Sequence, residues 1–219
     1  IYVSSSSSNI LMNNLLSSND NGIYLSTSNN NIIFNNTVNS NSFGIYLTSS
    51  SNSNNLTNNT ASSNSNTGIR LASSDQNIII GNTANSNTNY GFQLTSSNSN
   101  DLMNNTGNSN NLGIYFSSSD NNNISNSTCN NNTDGIFFSS SLSNNITNNT
   151  CDNNTRGMYL LSSDNNTIDL NVFSNNTDVG IKIANAASDN NTIHHNWFSD
   201  NNGGGVQAFD DGKDNLWDD

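Results

Sequence analysis

The groups in this chain that could do acid–base or metal chemistry are few. All sixteen acidic residues are Asp, the basic ones are Arg70, Arg156, Lys182 and Lys213, and there are two His and two Cys. Cleaving a glycan needs two carboxylates, or an acid and a cation, converging on one exposed face. Asp164 and Asp189 are the candidates, because they stand in matching S-D-N-N-T-I segments, with Asp75 and Asp120 in the corresponding place elsewhere. A separation of roughly 5 Å would suit a retaining pair or a calcium ion. Asp in an Asx turn accounts for the same pattern without chemistry. Asp210, Asp211 and Asp214 surround a glycine in D-D-G-K-D-N; the spacing departs from the D-x-[DN]-x-[DN]-G calcium loop, so calcium stands beside a solvated acidic terminus as the reading. His194 and His195 are adjacent, and neighbours on a strand face opposite sides, so surface variation is expected rather than a metal pair. Cys129 and Cys151, 22 residues apart, are either a disulfide or two buried thiols acting as small hydrophobes.

Any such groups must be positioned by a repeat. Gly22, Gly44, Gly68, Gly91, Gly113, Gly135, Gly157 and Gly180 recur every 22–24 residues, with Gly205 opening a last unit. An apolar, outward, apolar triplet follows each one, from Ile23-Tyr24-Leu25 to Ile181-Lys182-Ile183 and Val206-Gln207-Ala208. The period of two makes these strands. Two further apolar columns run from Leu11 to Ile193 and from Leu16 to Phe198. Three short apolar segments per unit fill a narrow triangular core.

Asn keeps the register even better. Asn9, Asn31, Asn54, Asn77, Asn100, Asn122, Asn144, Asn166 and Asn191 form one unbroken column, Asn19 to Asn201 a second, and Asn14 to Asn196 a third that slips once, to Ser127. An amide both donates and accepts, so identical side chains one coil apart can hydrogen-bond along the stack. Asn also tolerates the left-handed backbone of tight corners. The spacing predicts an all-β fold: a single-stranded parallel β-helix of about nine coils of 22–25 residues with stacked Asn ladders. It is expected over residues 1–209, with an acidic C-terminal tail or the start of a cap over 210–219. A right-handed wind follows from the general preference of parallel crossovers. Leucine-rich repeats share the repeat length but need L-x-x-L-x-L, which is missing here. Because the array opens in mid-coil at Ile1, further coils, a capping domain or a stacked subunit are expected at that end.

Composition excludes some classes. Apolar residues are 31% of the chain, charged ones 9%, and the net charge is −12. A phosphate backbone would be repelled, so nucleic acid is not an expected partner. No apolar run reaches the roughly 20 residues of a membrane-spanning helix.

The units "SSDNNTIDLNVFSNNTDVGIKI" and "SNNNIIFNNTVNSNSFGIYL" resemble the right-handed β-helix repeats of the NosD-like and carbohydrate-binding/sugar-hydrolase (CASH) group. The tail "GVQAFDDGKDNLWDD" is similar to the ends of such regions in surface proteins of methanogenic archaea. The resemblance spans essentially the whole chain and implies the fold. It implies several activities at once, since the group holds copper-related periplasmic proteins, polysaccharide lyases, epimerases and non-catalytic surface modules. Copper delivery would want clustered His, Met or Cys, whereas Met12, Met103 and Met158 fall in separate coils or columns.

The outward position of the main strand gathers aromatic and basic residues: Tyr24, Tyr46, Arg70, Tyr115, Phe137, Tyr159 and Lys182, with Gln93 and Gln207. Such a face can stack on sugar rings or pack on a neighbouring surface protein, and β propensity with coil-to-coil pairing explains it equally. Asn-x-Ser/Thr sequons recur at outward positions, at Asn35, Asn58, Asn104, Asn126 and Asn148, as glycosylation candidates in a secreted protein. The expectation is a non-catalytic extracellular or cell-surface scaffold or adhesive module that needs no cofactor. The alternative is a carbohydrate-binding or carbohydrate-active β-helix protein whose partner is a polysaccharide.

Overall fold

The computed structural model describes residues 1–184 and 187–218. Each glycine-led triplet lies in a six-residue strand, such as Phe43–Thr48 or Asp134–Ser139. These strands join in one parallel sheet of ten, bounded by Tyr2–Ser4 and Ala208–Asp210. Three-residue strands around the second apolar column, from Ile10–Met12 to Leu216–Asp218, make another parallel sheet of ten. The third face is thinner: single parallel bridges run from Thr37 through Thr60, Thr83, Thr106 and Thr128 to Thr150, between a short strand pair at one end and a short three-stranded sheet at the other. The chain is therefore a triangular parallel coil of about ten turns. At ~4.8 Å per rung it makes a rod on the order of 45 Å long.

All three apolar columns point inward, and they compensate one another in volume. Where the first sheet supplies Phe92, Phe116 and Phe138, the third column shrinks to Gly107, Cys129 and Cys151; where it supplies Met158 and Ile181, the third column grows to Phe173 and Phe198. Phe116 lies flat on Phe138 at 4.9 Å and Phe173 on Phe198 at 5.5 Å. Trading bulk between faces in these layers helps keep the core filled. The leading glycine has a related cause: a Cβ on Gly113 would stand 2.5 Å from the Gly135 carbonyl oxygen and 2.9 Å from that of Gly107.

The ladders are bonded as their spacing predicts. Asn54 Oδ1 accepts from both the backbone N–H and the Nδ2 of Asn31, each at 2.9 Å, and Asn77 Oδ1 does the same for Asn54 at 2.9 and 3.1 Å. The pattern runs to Asn191 and on to Asn215, a tenth rung that the repeat alone does not reveal. Ser127 holds its ladder open at one point, its Oγ accepting the Asn105 N–H at 3.1 Å. The left-handed residues are not the ladder amides themselves. They are the residues just before them, such as Asn30, Ser53 and Gln76, or Asn35, Asn58 and Asn104. A left-handed residue at the corner swings the next side chain inward, and the cost of that conformation is offset by the amide bonds it makes possible.

The last coil departs from the expected register. Ala208, Phe209 and Asp210 pair with Ile181, Lys182 and Ile183, two places later than the Gly205-led triplet would put them. A 3-10 turn at Asn201–Gly204 lengthens the corner. Gln207 thus leaves the outward stripe, and its Oε1 accepts from the Asn201 backbone N–H and Nδ2 at 3.2 and 3.0 Å, closing the second Asn ladder.

Candidate functional site

Asp164 and Asp189 stack in successive coils, but each carboxylate is already used. Asp164 Oδ1 accepts the Asp189 backbone N–H, and Asp189 Oδ1 the Lys213 N–H, both at 2.8 Å. They belong to a half-buried ladder in which Asn29, Asn52, Asp75, Asn98 and Asp120 each cap the N–H of the next coil. The Asp210 carboxylate likewise accepts from the Gly212 N–H, Asn215 Nδ2 and Trp217 Nε1 at 2.8–2.9 Å. Asp211 and Asp214 make no such set with it among the described contacts. A shallow groove along the corner through Ser18, Asn41, Ser63 and Thr88 has one titratable side chain in its lining, Asp20.

The aromatic stripe is a pile rather than a row of open platforms. Tyr2 stacks on Tyr24 at 5.2 Å, and Tyr24 meets Tyr46 edge-on at 5.3 Å. Arg70 lies over Tyr46 at 4.8 Å. Beyond Gln93, Tyr115, Phe137 and Tyr159 follow at 5.2 and 4.8 Å, and Lys182 sits 5.7 Å from the Phe209 ring. Ring faces are taken by neighbouring rings and cations. Burial, then the neighbouring Tyr46 and Tyr2, raises the Tyr24 phenol above its ordinary value. Beside the stripe, Arg156 forms a two-pronged pair with buried Asp134, at 2.5 Å from Nε and 2.8 Å from Nη2, and covers the Tyr159 ring at 4.0 Å. Burial raises the Asp134 carboxyl above its usual range, and the hydrogen bond from Arg156 only partly opposes it. Sequence reading missed this pair, although Asp134 and Arg156 lie 22 residues apart in one column.

Two further features escaped it. Ser28, Ser51, Ser74, Ser97, Ser119, Ser141, Ser163 and Ser188 form a fourth, fully buried ladder, each hydroxyl accepting the N–H of the preceding rung at 3.1–3.3 Å from Ser28 onward. In a serine-rich chain such a column is hidden by its own composition. The second is the histidine pair, and here the expectation of opposite faces is overturned. His194 ends its strand, and His195 is left-handed at φ 51°, which breaks the alternation and brings both rings to one side. Their Nδ1 atoms are 2.9 Å apart, and each lies 3.2–3.3 Å from Asp169 Oδ1 of the preceding coil.

Cys129 and Cys151 are buried free thiols. A hydrogen bond from one to the other, with burial, pushes the Cys151 thiol well above its ordinary value, which makes it a poor nucleophile. The glycosylation candidates Asn35, Asn58, Asn104, Asn126 and Asn148 are exposed left-handed corner residues. Among the described residues no helix is long and apolar enough to cross a membrane.

Two family descriptions match the coil just described: "Right handed beta helix region" over residues 77–217 and "Periplasmic copper-binding protein (NosD)" over residues 1–112. The chain belongs to the NosD-like right-handed β-helix family. No curated protein matches this NosD-like chain by sequence. Among solved structures it is similar to a doubly substituted periplasmic alginate epimerase AlgG, at TM-score 0.75 and 14% identity over 99% of this chain and 72% of that one. A DFA-IIIase from Arthrobacter chlorophenolicus without its lid gives TM-score 0.75 and 12% identity, over 89% and 55% of the two chains. The Dettilon tailspike protein gives 0.73 and 19%, over 88% and 42%. The NosD-like chain spans about half the length, 50%, of other AlgG structures it matches. At these identities the likeness is one of fold.

Proposed function

We propose that this chain is a rigid, non-catalytic rod that acts outside the cytoplasm as a scaffold or adhesive element. The observation that carries the reading is the use already made of the candidate groups. The carboxylates of Asp164, Asp189 and Asp210 cap backbone N–H groups, and the stripe's rings stack on one another. Catalysis needs an acid and a base free to move protons at a reacting atom, and a capping carboxylate is a poor candidate for either. The test is incubation of the purified chain with a panel of neutral and anionic polysaccharides, followed by chromatography of the products. Unchanged chain length and sugar composition are expected; any shortened or epimerised product would overturn the reading.

Alginate epimerase among the fold neighbours favours a second reading, glycan binding without turnover along the stripe. A net charge of −12 disfavours anionic polymers and points to a neutral glycan meeting the phenol edges of Tyr115 and Tyr159. On that reading, replacing both with Ala abolishes retention on an immobilised neutral polysaccharide while circular dichroism stays unchanged. Equal retention would leave the scaffold reading alone.

A further inference from the structure

We propose that Asp169, His194 and His195 form a binding site for a divalent transition ion of the Zn(II) or Cu(II) class. Their three ligand atoms make a triangle with sides of 2.9, 3.2 and 3.3 Å. In a tetrahedral site with metal–nitrogen and metal–oxygen bonds of about 2.0–2.2 Å, ligand atoms stand about 3.3 Å from one another, so the triangle matches one face of that polyhedron. Two imidazole nitrogens with one carboxylate oxygen suit Zn(II) and Cu(II); an oxygen-seeking Ca(II) is disfavoured. Cu(I) would want sulfur, and the positions stacked before Asp169 in its column are Thr147 and Ser125.

The rest of the surroundings agree. His194 and Asp169 are held in register by neighbouring strands of the second sheet, so two of the three ligands are fixed by the rod itself. The left-handed corner fixes the third. Asp169 and His194 are largely shielded, at 22% and 26% side-chain exposure, whereas His195 is 56% exposed, which leaves an outward vertex for water. The site lies on a different sheet from the aromatic stripe and does not depend on the scaffold reading.

The coils themselves suggest clean variants. Other coils carry Asn at the His195 corner, as at Asn126 and Asn148, and Thr at the Asp169 position, as at Thr147. His195→Asn and Asp169→Thr therefore restore residues that the fold already accommodates. The experiment is titration of ZnCl2 into the metal-stripped full chain at pH 7 by calorimetry, with Cu(II) electron paramagnetic resonance in parallel. One equivalent of Zn(II) is expected to bind, with at least a tenfold loss of affinity in each variant. The Cu(II) spectrum is expected to show coupling to two nitrogens, falling to one in His195→Asn. Absence of binding, or equal affinity in wild type and both variants with unchanged thermal melts in chelator, overturns the proposal.

Discussion

Arg156 and Asp134 show what one buried charge costs in so polar a chain. Asp134 is 2% exposed, and burial dominates its titration, so the folded protein holds its proton more tightly than the unfolded chain does. With the folded pKa raised, the contribution of this group to stability falls as pH rises from the ordinary Asp value through the raised one. Arg156 limits that loss. Replacing it with Leu should cost about 3 kcal/mol at pH 7, where the carboxylate is left charged and unpaired. The cost should shrink below the ordinary Asp value, where Asp134 is protonated in both states. Urea unfolding of wild type and Arg156→Leu at pH 7 and pH 3.5 checks the sign; an equal loss at both would show that Arg156 acts through its packing on Tyr159.

At the scale of the element, the working unit is the rung. Asn77 accepts two bonds from Asn54 and donates to Asn100 and the Asp75 carbonyl. Asn77→Ala would strand two buried donors of Asn54 at about 1–3 kcal/mol each, so a loss of roughly 4 kcal/mol is expected from the denaturant midpoint. Asn77→Ser should cost about half as much, because a hydroxyl can still accept the Asn54 N–H, as Ser127 does for Asn105. If the two variants were equal, the ladder would be a consequence of the coil and not a cause. Legibility at this scale was uneven. Asn columns stood out because no other residue replaces their paired donor and acceptor, whereas the serine ladder has no such signature. The final register slipped because a run of glycines permits several corner lengths and only the pairing of Phe209 over Lys182 selects one.

Over the whole molecule, each coil touches only its neighbours, so stability is shared along one dimension. Amide exchange should be slowest in central strands such as Leu112–Ser117 and quicken toward both ends of this chain. Uniform protection would instead mean all-or-none opening. The rod also distributes charge unevenly: Arg70, Arg156 and Lys182 all lie on the first sheet, while the ladders along the corners carry Asp and no counter-charge except Lys213. The first sheet therefore carries the stripe's rings and three of the four cations together.

The sequence by itself determined the coil, its three inward columns and the amide ladders, because a strict period leaves one arrangement that buries every apolar column and pairs the ladder amides. Only the tertiary structure decided what the surface groups do. Asp164 and Asp189 proved to be caps rather than free carboxylates, and Asp134 found Arg156. His194 and His195 turned to the same side, toward Asp169, because a single left-handed residue at a corner reverses a side chain's direction. A period of two cannot register that change.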